Sequence, residues 1–424
     1  MPAYRLLYSL LGYLIFPVML LRLFWRSRQD ASIRQHWPQR FGFIKLSKSP
    51  RIWLHAVSVG ETIAAKPLVK GLLADFPDHQ LLISNTTATG YQTSVRLFGE
   101  RVEHCYFPYD LNRSVTRFLT QANPQLLIIM ETEIWPNLLY HCKQRNIPTL
   151  IANARLSERS TRGYSNILPL ISPAIRALSK IACRSQQDAS NFQRLGAAGD
   201  QLAVIGNIKF DVSANVLNTN TATLKQQLSP NHIIWVAAST HAGEDEIIID
   251  CFKTLKVNHP HLVLVLVPRH PERFESVYEL CNRSGLIIQR RSDQQLFTQS
   301  CDIILGDSMG EMNFWYTSAD VVFMGGSLVE TGGHNPLEAS VYGVPVVSGP
   351  AVFNFHDVFE VLCEQKVAWV EASPTALVAK LSELLAMEQD DLANLKNRAI
   401  QTIAKQSGAT KTLRKLSKAL ISSS

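Results

Sequence analysis

The sequence lacks any C-x-x-C pair, and its seven cysteines are widely spaced, odd in number and without a histidine nearby at zinc-ligand intervals. That usage excludes a disulfide framework and a structural zinc site, and fits a reducing compartment. No G-x-x-x-x-G-K-[ST] is present, which disfavours a P-loop NTPase, and no G-x-G-x-x-G follows the first apolar run, which disfavours a standard dinucleotide site. Neither H-E-x-x-H nor an Asp-x-Asp pair flanks the loops, so catalytic zinc and an obvious divalent-metal site are not expected. Acidic residues are scarce at the amino terminus. The first 51 residues hold nine Lys/Arg against Asp30 alone and carry +8, leaving −1 for the remainder of a chain whose formal charge is +7. Basicity confined to one end argues against a nucleic-acid binder, whose excess charge would run across a folded face, and favours an anionic surface near the amino terminus.

What is present begins with an apolar stretch. From Leu6 to Leu21 no side chain is charged; Arg5 and Arg22 bracket it, with Tyr4, Tyr8, Tyr13, Phe24 and Trp25 as interfacial aromatics. Its sixteen residues fall just short of the roughly 17–25 that span a bilayer, and Pro17 is expected to bend it. A membrane anchor is expected over 1–28, as a span or as an interfacial helix. The basic cluster from Arg22 to Arg51 then reads as a cytoplasmic flank attracted to anionic lipids.

The 424 residues, 46% hydrophobic, suffice for two or three domains at roughly 150 residues each. Short apolar runs at Ile52–Val57, Leu81–Ser84, Leu126–Met130, Thr149–Ala152 and Leu202–Ile205 alternate with helical patterns such as Thr62–Leu73 and Asn112–Thr120. The alternation restarts with Ile233–Ala237, Leu262–Val267, Leu286–Gln289, Ile303–Leu305, Val321–Met324 and Pro345–Ser348. These patterns predict an α/β protein of two doubly wound, Rossmann-like domains facing a cleft. The expected divisions are an amino-terminal domain over 29–210, a linker over 211–231 rich in Asn, Thr, Ser and Ala, a second domain over 232–400, and a carboxyl-terminal helix over 401–424 packing back across the domains.

In such sheets ligands gather beyond the carboxyl ends of the strands, and the motifs fall there. Ser58-Val59-Gly60-Glu61 runs from a strand through a glycine turn into a helix, so Glu61 either serves as a base or complements the positive helix end. His55 just before it reads as a strand histidine. Met130-Glu131-Thr132-Glu133 brings two acids to one strand end, where like charges resist joint burial unless a cation or hydrogen bonds compensate. Gly206-Asn207-Ile208-Lys209 supplies a lysine able to neutralise an acid or a phosphate. Arg155, Arg159 and Arg162 form either a phosphate-recognising cluster or a solvated helix face. In the second half, Pro268-Arg269-His270 ends an apolar strand, Met309-Gly310-Glu311 lies in a glycine-bearing loop, and Gly333-His334-Asn335-Pro336-Leu337-Glu338 approaches a helix whose amides attract phosphate. Glu338 either boxes the helix cap or accepts ribose hydroxyl protons.

The amino-terminal anchor followed in order by the Ser58–Glu61, Met130–Glu133, Gly206–Lys209, Pro268–His270 and Gly333–Glu338 segments resembles the Kdo transferases of lipopolysaccharide synthesis, and the likeness covers nearly the whole chain. The resemblance implies a GT-B glycosyltransferase that moves 3-deoxy-D-manno-octulosonic acid (Kdo) from CMP-Kdo to the lipid A precursor (lipid IVA), inverting the anomeric carbon without metal or cofactor. It implies attachment to the cytoplasmic side of the inner membrane through anionic lipids. Carried over by motif, Glu61 resembles the general base, and Glu131 and Lys209 match transition-state support. Pro268, Arg269, Met309, Gly310, Glu311, Asn335, Pro336, Leu337 and Glu338 match CMP-contacting positions, and Arg155, Arg159 and Arg162 are candidate contacts to acceptor phosphates. A UDP-sugar transferase of the same fold and a non-catalytic, membrane-tethered nucleotide-binding protein remain the alternatives.

Overall fold

The structure, a computed structural model, describes residues 2–29, 36–47, 49–212, 224–229, 231–293 and 296–423. Most of the expected linker, together with Arg34, Lys48 and the side chains of Arg22, Arg26 and Arg28, lies outside the described residues. The chain divides into two compact units, one of residues 1–211 with 406–424 and the other of residues 212–405.

The first unit is built on seven parallel strands: β1 (Arg51–His55), β2 (Gln80–Asn85), β3 (Glu103–Tyr106), β4 (Pro124–Met130), β5 (Thr149–Ala154), β6 (Lys180–Cys183) and β7 (Leu202–Val204), in the order β3-β2-β1-β4-β5-β6-β7. Helices cover both faces, so the central strands read as unbroken apolar runs instead of alternating ones. Their side chains nonetheless divide by the strand period of two: Trp53, Leu127, Ile129 and Ile151 enter one buried cluster, and Ile52, Leu54, Ile128 and Leu150 the other. β3 and β6 escape sequence reading because each is four residues long and begins with a charged residue. The expected helix over Thr62–Leu73 divides at Ala65 into Val59–Ala64 and Lys66–Asp75, where Pro67 lacks an N–H and disfavours helical backbone just before it.

The second unit repeats the plan with β8 (Ile233–Thr240), β9 (Leu262–Pro268), β10 (Ile288–Arg290), β11 (Ile303–Leu305), β12 (Val321–Met324), β13 (Val346–Ser348) and β14 (Ala368–Val370), all parallel, in the order β10-β11-β9-β8-β12-β13-β14. The three-residue β14 is the strand here that the sequence pattern does not reveal.

The segment expected as one closing helix forms two, Gln389–Gln406 and Ala409–Ser422, separated at Gly408 with φ +115°. The second returns to the first unit. Leu413 is fully buried there, and the Arg414 guanidinium grips Asp75 through two 2.6 Å bonds. Asp211, where the chain leaves this unit, accepts from the Gly408 amide at 2.5 Å and from Thr410, placing a carboxylate against the positive helix start.

At the amino terminus one helix, Pro2–Gln29, continues through Pro17. Among the described residues no helix is long and apolar enough to cross a membrane. Serine, tyrosine and glycine interrupt the uncharged run, and Arg5 and Arg22 cut it short of the roughly 20 apolar residues a spanning helix needs.

Candidate active site

In the first sheet the strand order reverses between β1 and β4. The two following loops diverge at such a point and leave a crevice beyond the strand ends. Glu61 follows β1, and Glu131 with Glu133 follow β4. Glu61 sits in the first turn of its helix, with Ser58 at the N-cap. Its Oε2 accepts the Val57 amide at 2.7 Å and its Oε1 the Ser58 hydroxyl at 3.4 Å. Even so, burial pushes its carboxyl up to about 7, the Val57 bond opposing and the charges of Glu131 and Glu133 adding to the rise. Complementing the helix start and holding a proton near neutrality are thus combined in one side chain. Burial foremost, then Glu131, lifts Glu133 to about 7 as well. His55 is wholly buried, its Nδ1 3.1 Å from the Ser84 carbonyl, and burial drives it down to about 3; it is a neutral strand residue.

Glu131 has a left-handed backbone, φ +57°, a conformation that costs a non-glycine residue about 1–3 kcal/mol and recurs at functional sites. The compensating cation anticipated for the acid pair is Arg184, whose Nη2 lies 2.5 Å from Glu131 Oε1. Arg184 also donates to the Asn153 carbonyl at 3.2 Å. The Asn153 side-chain oxygen in turn accepts the Ile208 amide at 3.0 Å, so the short turn Ile208–Phe210 bearing Lys209 is pinned to the carboxyl end of β5. Glu131, Arg184 and the Lys209 turn are therefore joined through a single strand end. Sequence reasoning missed Arg184, because its strand is short and polar at its start.

The three candidate phosphate arginines are exposed. Arg155 is tied to the acidic loop through its backbone, its amide donating to the Thr132 hydroxyl at 3.2 Å. Arg159 and Arg162 project from the helix Glu158–Ser165, with Arg162 4.0 Å from Glu158. A cleft of about 310 Å³ beside the first helix, lined by Arg5, Pro136, Tyr140, Lys143, Leu170 and Pro173 among others, contains none of the site residues expected from sequence.

In the second sheet the order reverses between β8 and β12, and there the structure holds a centre that the motifs only half reveal. The loop after β12 carries Gly325-Gly326-Ser327, where Gly326 has φ +69° and a Cβ would meet Thr331 Oγ1 at 2.7 Å. Its amides are taken up internally. Glu244, wholly buried, accepts from Gly326, Ser327 and Leu328 at 2.7–2.9 Å and from His241 at 2.8 Å. His241 Nε2 lies 2.9 Å from His334 Nε2, and His270 packs edge-on at 5.3 Å. Burial, then the neighbouring His241, Arg269 and His270, brings His334 down to about 4. The Arg269 side chain is exposed and its charge reaches His241, His334 and Glu338.

Glu338 keeps an exposed edge, yet the protein mass around it raises its carboxyl, with Arg269 opposing. Asn335 Oδ1 caps its own turn by accepting the Leu337 amide at 3.2 Å, and Leu337 is core. The helix these residues open, Leu337–Ser340, is only four residues long, so its dipole is weaker than sequence reasoning supposed. Pro268 ends β9 as a buried residue. Met309 is 60% exposed at the head of its loop and Gly310 has φ +84°. Glu311 is held bidentately by Arg291 at 2.8 and 3.0 Å, beside a hollow of about 360 Å³. Among the described residues no group of three or more His, Cys, Asp or Glu is placed to hold a metal ion.

Solved structures share this architecture. The UDP-GlcNAc 2-epimerase of Neisseria meningitidis bound to UDP-GlcNAc matches with TM-score 0.56 at 12% identity, covering 86% of this chain and 98% of that one. A glycosyltransferase from Rickettsia africae matches with TM-score 0.54 at 13% identity, covering 89% and 100%. At such identities the likeness speaks for the fold alone. Residues 225–402 match the family profile described as glycosyl transferases group 1, and with the two parallel sheets this defines a GT-B glycosyltransferase.

Residues 35–212 match the profile described as 3-deoxy-D-manno-octulosonic-acid transferase (kdotransferase). The 3-deoxy-D-manno-octulosonic acid transferase of Haemophilus influenzae is 38% identical over 97% of both chains, and that of Bordetella pertussis 34% identical over 72% of both. The chain belongs to the Kdo transferase family.

Proposed function

We propose that this glycosyltransferase takes Kdo from CMP-Kdo and joins it to the lipid A precursor, with inversion and without a metal ion. The observation that carries the reading is the state of Glu61 at the β1/β4 reversal, a carboxyl raised to about 7 at a position where sugar chemistry needs a base. Glu61 takes the proton from an acceptor hydroxyl as its oxygen bonds to the anomeric carbon. The bond from that carbon to the CMP phosphate oxygen breaks, and the electron pair leaves with CMP. Lys209 and the Arg184–Glu131 pair balance charge around the base. In the second unit Arg269 and the His241–His334 pair face the charge of the leaving phosphate, while the 309–311 and 335–338 segments contact CMP. Base and nucleotide site lie on different units, so both units are required for transfer.

The first helix supports a membrane location. Leu6, Leu7, Leu10, Leu14, Val18 and Leu21 each keep more than half of their surface exposed, and Trp25 is 73% exposed. We place this helix in the interface of the inner membrane on its cytoplasmic side, with Arg155, Arg159 and Arg162 available to acceptor phosphates; of the basic residues beyond the helix, Arg40 and Arg51 turn inward, onto the Thr86 carbonyl and Glu103, and do not serve the flank expected from sequence.

The test incubates the purified protein with CMP-Kdo, lipid A precursor and a chelator and resolves products by mass. Product gaining whole Kdo units, with competition by CMP and not UDP, is expected. Transfer abolished by the chelator, or supported only by a UDP-sugar, overturns the proposal.

A further inference from the structure

The acidic loop that carries Glu131 and Glu133 is held at both ends. At its start the Glu131 amide donates to the Ala152 carbonyl at 2.8 Å, continuing the sheet. At its end the helix Pro136–Gln144 carries Asn137, wholly buried, in its first turn. The buried Asp110 takes the amides of Asn137 and Leu138 at 3.0 and 2.8 Å, and the Asn137 side-chain amide donates to the Asp110 carbonyl at 2.8 Å.

The remaining partners of that knot come from the first helix. Arg5 Nη1 donates to Asn137 Oδ1 at 3.1 Å and to Asn112 Oδ1 at 3.0 Å. The buried Ser9 hydroxyl lies 3.1 Å from Asn137 Oδ1 and accepts from Asn112 at 3.2 Å. Tyr8 bonds to Asp110, and the Arg5 guanidinium sits 3.7 Å from the centre of the Tyr140 ring. An apolar helix meant only to hold a membrane needs no such buried polar knot, because each buried polar group is costly unless satisfied.

We infer that the first helix positions the acidic loop, with Arg5 and Ser9 acting as positioning residues for Glu131 and Glu133 through Asn137. The inference rests on the proposed transfer reaction. Its physical basis is that a displacement of about 1 Å in a catalytic group can cost a factor of about a hundred in rate, and that a loop held at two ends loses its register when one end is released. A helix serving for attachment alone would, when loosened, change how much enzyme reaches the acceptor but not the turnover of enzyme already saturated.

The experiment uses the full chain in detergent micelles and on phospholipid vesicles, comparing wild type with Ser9→Ala, Arg5→Ala and Arg5→Lys. Expected for Ser9→Ala and Arg5→Ala is a fall in kcat of about tenfold or more, with unchanged KM for CMP-Kdo, unchanged partition to vesicles and unchanged thermal unfolding; Arg5→Lys recovers part of kcat. Should kcat at saturating substrates stay within about twofold while only vesicle partition or acceptor KM moves, the helix is an attachment device and the inference falls. Equal loss in Arg5→Lys and Arg5→Ala with lowered thermal stability also overturns it, since that is general destabilisation. A wild type that makes no Kdo-lipid product overturns the functional proposal, and this inference with it; a working wild type with unaffected variants overturns this inference alone.

Discussion

Glu61 joins two roles that the sequence left as alternatives, and the pH dependence of the reaction follows from the pair. A base works when deprotonated, so transfer should rise with pH through about 7, the value to which Glu61 is lifted. Because Glu133 reaches about the same value beside it, the acid limb belongs to the coupled group. Glu131→Gln removes a negative charge that raises Glu61, and the limb should move to lower pH; an unmoved limb in a pH–rate profile would speak against the coupling. Glu61→Ala should abolish transfer while retaining CMP binding. The sign for stability is opposite. Both acids bind protons more tightly folded than unfolded, so their contribution is complete below about pH 4.5 and is lost as pH rises through about 7. Glu61, Glu131 and Lys209 were legible as motif residues at strand ends. Arg184 and Glu244 were not, since nothing local to either shows that its partner arrives from another strand.

Among the elements, the loop after β8 shows why part of the site stays hidden in one dimension. A strand order places β8 beside β12, but no run of residues records which strands are neighbours, so Ser239-Thr240-His241-Ala242-Gly243-Glu244 carries no signal beyond following an apolar run. Once the order is known, Glu244 is the residue that ties the two loops of the reversal together. Glu244→Ala strips the acceptor from four amides, two of them buried, at about 1.5–3 kcal/mol for a hydrogen bond to a charged group. The CMP-Kdo requirement should rise several-fold and the second unit should unfold earlier in a thermal scan; unchanged donor KM would show that the loop keeps its shape unaided. The continuously apolar strands β4, β8 and β9 were plain in the sequence. β3, β6 and β14 were not, because three or four residues, opened by a charge in β3 and β6, give too short a period to recognise.

For the molecule as a unit, the divided first body is the decisive feature. Its sheet is covered on one face by Ala409 and Leu413 from a helix that the chain supplies only after the second unit. Leu413→Ala should destabilise the first unit by about 2–5 kcal/mol, the usual cost of emptying a buried leucine site, seen as a lower urea midpoint. Deleting residues 406–424 should abolish soluble expression of the first unit while sparing that of residues 212–405; normal yield of the shortened first unit would show that its sheet needs no cover. A closing helix that packs back was expected from its helical pattern with basic residues, but not the face it covers, because its partner Asp75 lies more than three hundred residues earlier.

The closing grip of Arg414 on Asp75 also orders events in time. A nascent chain emerging from the ribosome leaves part of the apolar sheet of the first unit uncovered throughout synthesis of the second, and the helix Ala409–Ser422 completes the cover only afterwards. Any pause between the second unit and this helix therefore prolongs a form open to aggregation, so chaperone demand should peak over that stretch of synthesis.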